Sequence, residues 1–218
     1  MKRWFVTGTD TEVGKSVVTA ALAASSPGTV AALKPVASGV APGTFGEDAE
    51  LLGRAAGHAQ VCVALPLPVS PHRAAAEEDQ ALELEALLEW IEGHQAEEVW
   101  VEGVGGWAVP LSWTVSVADL AEALGAPVVV VAADRLGVLN HTLLTVRAIQ
   151  SRGLEVAGVV LNAAGPARPQ DGDARRFNLL DLRELLPGVP VVPCPHLDPS
   201  SQEELVAAGG ALRVALSL

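Results

Sequence analysis

The chain has 218 residues, half of them apolar, which is enough material for a sizeable buried core. Its formal net charge of −12 argues against nucleic acid or an anionic membrane as a partner, because both bind basic surfaces. No apolar run reaches the ~20 residues of a membrane span, and the N-terminus lacks the features of a signal peptide. Cys62 and Cys194 form no disulfide framework or zinc motif. We expect one cytoplasmic domain over residues 1–218.

Short apolar runs alternate along the chain with longer helical patterns, which predicts an α/β fold with a mostly parallel sheet and helices on both faces. The apolar runs predict strands at 3–7, 29–34, 61–64, 98–102, 127–132, 155–161 and 190–193. The longer patterns predict helices at 15–25, 47–57, 80–93, 117–124, 138–151, 173–186 and 201–216. The loops at 38–46 and 163–172 are rich in Gly, Pro and Ala, and we expect them over the active site.

The segment between the first strand and the first helix, Gly8 to Ser16, reads GTDTEVGKS. Glycines let the backbone N–H groups of such a turn point at phosphate oxygens, and the helix N-terminus adds partial positive charge. Lys15 is then placed to reach the β- and γ-phosphates, and the Ser16 hydroxyl is a hard ligand for Mg²⁺. Five residues separate Gly8 from Gly14, one more than the general pattern has. The alternative is a glycine-rich turn that only closes the βα unit.

GTDTEVGKS resembles the phosphate loop of dethiobiotin synthetases, a family of the P-loop NTPases, including the extra residue and the Thr11-Glu12 pair. The stretch KPVASG, which begins at Lys34, is similar to the next motif of that family. There the lysine is the catalytic cation, and the serine, here Ser38, contacts the diamine substrate. The ParA/MinD-type and cobyrinic-acid-synthase-like ATPases are the runner-up. Many of them carry a second lysine where this chain has Asp10.

Two acidic stretches would complete a magnesium site. VEGVGGW resembles the VEGAGGW stretch of the family, and its Glu102 is predicted to end a buried strand, where a carboxylate needs a cation. Asp48, at the start of the second helix, is the best match to an Asp that binds Mg²⁺ in the family, with Glu47 and Glu50 as competitors. A solvated acidic helix start is the alternative for this segment. Asp48, Glu102 and Ser16 together make an all-oxygen shell for Mg²⁺.

Segments later in the chain resemble the substrate sites of the family. The Val69-Ser70-Pro71-His72 stretch resembles its SPH segment, to which we assign a role in loop positioning. Residues 134–141, DRLGVLNH, open a helix whose free N–H groups would hold a carboxylate. In the family this segment lies at the dimer interface and meets the substrate tail bound by the other subunit, which implies roles for Gly137 and Asn140. A plain helix N-cap is the alternative.

The base of the nucleotide is expected near two further strand ends. Asn162 and Ala163 resemble the adenine-binding segment of the family. The run Pro195-His196-Leu197 resembles a stretch whose backbone lines the base, with His196 in place of the more usual Trp, which leaves the choice of nucleotide open. The family often has a Tyr near the substrate carboxylate. This chain has no tyrosine, and Phe177 stands near that place.

The resemblance implies a P-loop NTPase-like fold and a homodimer that makes dethiobiotin from 7,8-diaminononanoate, CO₂ and ATP with Mg²⁺, through a carbamate and a carbamic–phosphoric anhydride. It implies catalytic roles for Lys15 and Lys34 and substrate contacts for Ser38, Gly137 and Asn140. The implied metal ligands are Ser16, Asp48 and Glu102. The implied nucleotide-binding residues are Thr11, Glu12, Val13, Gly14, Lys15, Ser16, Val17, Asp48, Glu102, Gly103, Val104, Gly105, Asn162, Ala163, Pro195, His196 and Leu197.

Two other functions are open. A cobyrinate-type amidoligase needs a glutaminase domain with a Cys nucleophile, and such a domain does not fit in 218 residues. A nucleotide-binding partner protein without catalytic activity would bind ATP and Mg²⁺ but would release no phosphate when given diamine and bicarbonate.

Overall fold

The structure is a computed structural model that describes residues 1–165 and 171–218. Part of the loop predicted at 163–172, residues 166–170, lies outside the described residues. The described strands are β1 (Lys2–Gly8), β2 (Val30–Ser38), β3 (Val61–Leu65), β4 (Glu98–Gly106), β5 (Val128–Ala133), β6 (Val156–Asn162) and β7 (Val191–Cys194). The described helices are α1 (Lys15–Ala24), α2 (Glu47–Ala56), α3 (Pro71–Glu77), α4 (Leu84–Glu92), α5 (Val117–Leu124), α6 (Val138–Ser151), α7 (Gly172–Leu185) and α8 (Gln202–Leu216).

The seven described strands form one sheet in the order β3-β2-β4-β1-β5-β6-β7. Every pairing between neighbouring strands in it is parallel, which confirms the predicted α/β class. Strand β1 lies between β4 and β5, where the crossovers change from one side of the sheet to the other. Ligands of open parallel sheets bind at the carboxyl ends of the strands next to such a reversal. The segment after β1 is therefore in the place where a ligand site is expected.

Helices cover both faces of the sheet, and each face has its own apolar core. One core joins the sheet to α3, α4, α5, α6 and α7, and the other joins it to α1, α2 and α8. The four consecutive valines of β5 divide evenly, with Val128 and Val130 in the first core and Val129 and Val131 in the second. An unbroken apolar strand is expected when both of its faces are buried.

Helix α8 packs against α1 on the second face, and small side chains allow a close approach. A Cβ atom built on Gly209 would lie 1.8 Å from the carbonyl oxygen of Ala21, which is too short for any real contact. Only glycine fits there, whereas a Cβ on the neighbouring Gly210 would meet nothing within 4 Å. The position of α1, whose first residue is Lys15, thus depends on the packing of α8.

Three sequence-predicted elements differ from the structure by more than one residue at an end. Strands β2 and β4 run four residues further than predicted, through Ser38 and Gly106, so Lys34 and Glu102 lie inside strands and not at their ends. The helix predicted at 80–93 is shorter, at Leu84–Glu92. A separate helix, α3, occupies Pro71–Glu77, a stretch for which no helix was predicted. A proline at the first helical position is a start signal for a helix, because it needs no N–H partner there.

Candidate active site

The phosphate loop connects β1 to α1 and folds back on itself. A Cβ on Gly8 would lie 2.7 Å from the carbonyl oxygen of Asp10, and Gly14 has a φ of 85°, so glycine is needed at both ends of the loop. The ammonium of Lys15 donates to the Asp10 carbonyl at 3.3 Å, and the Thr11 N–H donates to the Asp10 carboxylate at 2.8 Å. The loop thus has the curled backbone that an anion site requires.

Register explains why Lys34 and Glu102 meet. Strands β2 and β4 pair as far as Leu33 and Val101, so Lys34 and Glu102 occupy the next position of the same parallel register. From Lys34 onwards the recorded partner of β2 is β3, and the Lys34 and Glu102 side chains meet just beyond the last recorded β2–β4 pair. The Lys34 ammonium lies 2.5 Å from Glu102 Oε1 and 2.8 Å from Asp48 Oδ2, which α2 supplies.

Lys34 and Glu102 are buried in this charged cluster, Asp48 is about half exposed, and the charges of the cluster shift the pKa of Lys34 and of Asp48. Burial alone would lower the pKa of Lys34, but the carboxylates of Glu102 and Asp48 outweigh burial and raise it above the ordinary value. Burial would raise the pKa of Asp48, but the Lys34 charge and hydrogen bond hold it below the ordinary range. Burial and the charge of Lys34 lower the pKa of Lys15. Lys34 is therefore an ion-pair partner of two carboxylates, whereas Lys15 donates to a backbone carbonyl and has no carboxylate hydrogen bond among the described residues.

The three predicted metal ligands lie together at this end of the site. The Ser16 hydroxyl donates to Glu102 Oε1 at 2.8 Å, and Asp48 is joined to Glu102 through Lys34. The other oxygen, Oε2 of Glu102, is buried without a hydrogen-bond partner among the described residues. The described ranges contain no group of three His, Cys, Asp or Glu side chains that could hold a metal ion. Two carboxylates and a hydroxyl still suit Mg²⁺, which keeps waters and phosphate oxygens in its shell.

Two cavities form a continuous cleft along the phosphate loop. The first, of about 500 Å³, is lined by Glu12, Gly14, Lys15, Ser16, Val17, Glu47, Asp48, Glu50, Leu51, Arg54 and Pro199. The second, of about 270 Å³, is lined by Glu12, Gly14, Val17, Asn162, Ala164, Gly165, His196, Leu197 and Pro199. The two linings share Glu12, Gly14, Val17 and Pro199. We call the Lys15 side the phosphate end and the Asn162 side the base end.

The base end is held to the phosphate loop by one amide. Asn162, the last residue of β6, donates from Nδ2 to the Val13 carbonyl at 2.9 Å. A Cβ on Gly14 would lie 2.1 Å from that nitrogen, so the close contact between amide and loop requires glycine. His196 and Leu197 line the cavity as predicted, whereas Ala163 and Pro195 only flank lining residues along the chain.

The remaining predicted nucleotide-binding residues lie under the loop. Gly103, Val104 and Gly105 continue β4 beyond Glu102, and a Cβ on Gly105 would lie 3.6 Å from the Thr11 methyl group. The Gly103 carbonyl also accepts from the Lys34 ammonium at 3.3 Å. These residues and the predicted catalytic pair are thus in one place.

The predicted substrate residues fall in two places. Ser38 ends β2 and lines a third cavity of about 430 Å³, which shares Asp48 with the phosphate end. Gly137 and Asn140 lie at the start of α6 and line none of these three cavities. Ser38 therefore lines a cavity to which these two residues do not contribute.

The positions of two arginines at the site were not anticipated from the sequence. Arg135 approaches the Asp10 carboxylate at 3.5 Å and so connects the start of α6 to the phosphate loop. Arg54 lines the phosphate end from α2, seven residues after Glu47. Seven residues are close to two helical turns, so the helical period would have placed Arg54 on the same face as Glu47. Arg54 belongs to none of the motifs, so the motifs alone did not indicate it.

Among the described residues no helix is long and apolar enough to cross a membrane. Residues 2–200 match the model of a protein family described as an AAA domain, so the chain belongs to this class of P-loop proteins. The chain is also 46% identical over 176 residues to the ATP-dependent dethiobiotin synthetase BioD of Ralstonia nicotianae, across 72% of this chain and 75% of that protein. It therefore belongs to the dethiobiotin synthetase family of ATP-dependent enzymes, which confirms the family and the enzyme class predicted from the motifs.

Solved structures share the fold over almost the whole chain. A plasmid partition protein of Borrelia burgdorferi, bound to AMPPNP, aligns with a TM-score of 0.57 at 9% identity, over 99% of this chain and 98% of that one. The septum site-determining protein MinD of Pyrococcus horikoshii, complexed with Mg-ADP, gives 0.54 at 17% identity over 99% and 94%. HypB of Helicobacter pylori, in complex with nickel, gives 0.52 at 14% identity over 100% and 87%. At these identities the likeness shows the fold alone, and it confirms the predicted P-loop NTPase-like architecture.

Proposed function

We propose that the chain converts 7,8-diaminononanoate, CO₂ and ATP into dethiobiotin, ADP and phosphate. One amine of the diamine adds to CO₂ and loses a proton, which gives a carbamate. A carbamate oxygen attacks the γ-phosphorus, and the bond from that phosphorus to the β–γ bridging oxygen breaks to release ADP. The second amine then attacks the carbonyl carbon of the carbamic–phosphoric anhydride, phosphate leaves, and the ureido ring closes with loss of a proton.

The observation that carries this proposal is the buried Lys34, held by Glu102 and Asp48 beside the phosphate loop of a chain in this family. Phosphoryl transfer depends mainly on positioning and charge neutralisation, so it needs fixed cations more than a strong base. Lys34 has a raised pKa and stays protonated, which suits a group that stabilises negative charge and not a general base. We assign to it the orientation of the carbamate and the neutralisation of charge on the transferred phosphoryl group.

Lys15 and Ser38 are proposed to hold the two reactants on either side of Lys34. Lys15 lines the phosphate end and has no carboxylate hydrogen bond among the described residues, so its ammonium is available to the β- and γ-phosphates. Ser38 lines the neighbouring cavity, where its hydroxyl would contact the diamine. The shared Asp48 shows that the two cavities are adjacent.

Charge balance supports a bound metal ion. The two lysines and the two carboxylates of the cluster, Glu102 and Asp48, sum to zero, so they leave no excess positive charge for a triphosphate. We propose that Ser16, Asp48 and Glu102 hold Mg²⁺, with the unpartnered Oε2 of Glu102 as one available ligand atom. When bound, Mg²⁺ would neutralise charge on the phosphate oxygens.

At the other end of the cleft, we propose that the base lies between the Asn162 side and the segment that contains His196 and Leu197. The amide Nδ2 of Asn162 is engaged with Val13, so its Oδ1 is the atom that would accept from the amino group of a base. Val17 lines both parts of the cleft and would lie beneath the ribose.

We also propose that the active form is a homodimer. Gly137 and Asn140 do not line the cavity of Ser38, and a second copy would bring them to the tail of a substrate bound there. Large apolar side chains are exposed in this part of the chain and on α7, namely Leu136 just before α6, Leu144 on α6 and Leu180 on α7. Sedimentation equilibrium should give twice the mass of the chain; a monomer that retains full activity would contradict this assembly.

The decisive experiment measures phosphate release from ATP with Mg²⁺ and bicarbonate, with and without 7,8-diaminononanoate. We expect release to depend on the diamine and to match the dethiobiotin formed, one for one. A chain that binds ATP but releases no phosphate on addition of the diamine would be a nucleotide-binding protein without this activity. Phosphate release that ignores the diamine would indicate a simple ATPase.

A further inference from the structure

The phosphate end of the cleft is lined by a second cation besides Lys15, namely Arg54 of α2. The surroundings of this arginine are strongly acidic, because Glu12, Glu47, Asp48 and Glu50 line the same cavity. Carboxylates outnumber cations in this lining even though the charge of Asp48 is paired with Lys34, so a cation without an internal partner is of particular value for holding a triphosphate. A role for Arg54 in holding the ligand would reduce this imbalance.

Arg54 lies on the stripe of α2 that faces the loop. Asp48 and Leu51 precede it at intervals of three residues, and both line the same cavity. With a helical rise of 1.5 Å per residue, Arg54 lies roughly 9 Å along the axis from Asp48. The other lining residues include Val17 and Pro199, which also line the base end. The backbone of Arg54 thus lies nearly two helical turns beyond that of Asp48, in a cavity that shares lining residues with the base end.

The guanidinium of Arg54 is exposed, and no hydrogen bond or ion pair joins it to residues 1–165 or 171–218. Several other arginines among the described residues are engaged in ion pairs. Arg152 is paired with Asp119 and Glu122, and Arg213 with Glu98. Arg54 has no partner among residues 1–165 and 171–218. All five N–H donors of its guanidinium are therefore available to a ligand.

We propose that Arg54 binds the nucleotide at its α-phosphate and ribose, opposite the phosphate loop. A planar guanidinium suits this position because it can donate two parallel hydrogen bonds to a phosphate or to vicinal hydroxyls. The proposal rests on the nucleotide site proposed above, but it does not depend on the reaction with the diamine. Helix α2 would then contribute to the site twice. Asp48 in its first turn belongs to the charged cluster, and Arg54 in its last turn would bind the nucleotide.

Titration calorimetry with ADP and Mg²⁺ tests this assignment without substrate turnover. We expect Arg54→Ala to weaken ADP binding by about 10-fold, the size of one charge-assisted contact, and ATP binding by the same factor. Arg54→Lys should recover part of the loss. The matched control is Arg147→Ala. Arg147 is also exposed and has no partner among the described residues, but it lies on α6. This variant should bind ADP as tightly as the unaltered chain does.

The possible outcomes separate the two proposals. Equal ADP affinity in Arg54→Ala and in the unaltered chain would overturn the role of Arg54 and leave the nucleotide site standing. A loss seen with ATP but not with ADP would place the guanidinium at the γ-phosphate and overturn its assignment to the α-phosphate and ribose. An unaltered chain that binds neither nucleotide would overturn the site itself. Unfolding curves of each variant show whether a loss of affinity reflects a loss of folded protein.

Discussion

The two ends of the nucleotide cleft differ in the kinds of residue that form them. At the phosphate end, Lys34 and Glu102 are almost completely buried on adjacent strands, and each has at least two polar contacts. At the base end, the lining is largely apolar or backbone, and one side-chain hydrogen bond, from Asn162 to Val13, ties it to the loop. The first end is fixed by register and charge, and the second by the packing of loops.

This difference suggests that the phosphate end determines catalysis and the base end determines how the nucleotide is bound. Buried ions on rigid strands are held within a fraction of an ångström, which is what stabilisation of a transition state requires. A small, mostly apolar cavity with few polar side chains constrains the donors and acceptors of a planar ring less tightly than buried charges constrain a phosphate. We therefore expect changes at the phosphate end to alter turnover and changes at the base end to alter affinity.

The largest effect is expected from Lys34→Ala. Removal of one fixed electrostatic stabiliser should lower turnover by at least ~100-fold. Phosphate release in the presence of the diamine measures this loss. The same change leaves Glu102 buried without its cation, so we also expect the free energy of unfolding to fall by about 3–5 kcal/mol.

A double variant, Lys34→Met with Glu102→Gln, separates these two effects. It removes both buried charges, so it should unfold at a higher denaturant concentration than Lys34→Ala while remaining as inactive. Turnover near that of the unaltered chain in folded Lys34→Ala would refute the catalytic role of this lysine.

The next effect concerns α1, which contributes to both ends of the cleft through Lys15 and Val17. Gly209→Ala would place a methyl group 1.8 Å from the Ala21 carbonyl and force α8 away from α1. We expect the free energy of unfolding to fall by about 1–3 kcal/mol, as for other overpacked sites. Urea unfolding with a fluorescence readout measures the change.

Gly210→Ala is the matched control for this substitution, because it adds the same methyl group one position later in the same helix, where nothing lies within 4 Å. We expect it to raise stability by up to about 1 kcal/mol through helix propensity. Equal effects at the two positions would mean that the helix contact does not limit the position of α1.

Much of the phosphate end could be predicted from the sequence, since its residues occur in short motifs at strand ends. The order of strands and helices followed from the apolar pattern, except for α3 and the bounds of α4. The lengths of β2 and β4 could not be predicted, because Pro35 and the glycines after Glu102 normally end strands. Both strands continue because they pair with neighbours that are distant in sequence.

Contacts that depend on non-local geometry could not be predicted from the sequence. That Lys34 pairs with Glu102 follows from a register of β2 against β4, which no local pattern reports. The sequence indicated Lys34 as a catalytic cation without indicating its partners, whereas the structure shows that two carboxylates engage it. Arg54 was missed because it lies on an exposed helix face outside any motif.

A smaller effect is expected at the base end. Asn162→Ala removes the bond to Val13 and the proposed acceptor for the base, so we expect the KM for ATP to rise about 10-fold with kcat unchanged. Initial rates over a range of ATP concentrations give both constants. A fall in kcat at constant KM would show that the amide acts through the phosphate loop, and the division of labour between the two ends would fail.

The smallest predicted effect is the pH dependence of stability at the phosphate end, where Asp48 and Lys34 act in different pH ranges. The pKa of Asp48 is held below its ordinary value of 3.8, so its ion pair with Lys34 stabilises the fold above that pH and is lost as the pH falls through the depressed pKa. The pKa of Lys34 is raised above 10.5, so its contribution is present below that pH and is lost only as the pH rises through the raised value.

Asp48→Asn tests the acid limb of this dependence. The difference in unfolding free energy between the unaltered chain and Asp48→Asn should be constant near neutrality and should shrink below pH 3.8. The difference should be modest, because the Asp48 side chain is 52% exposed and solvent screens its charge. A difference that persists unchanged to the lowest pH would show that Asp48 stabilises α2 by packing. In that case Glu102 alone would hold the Lys34 charge.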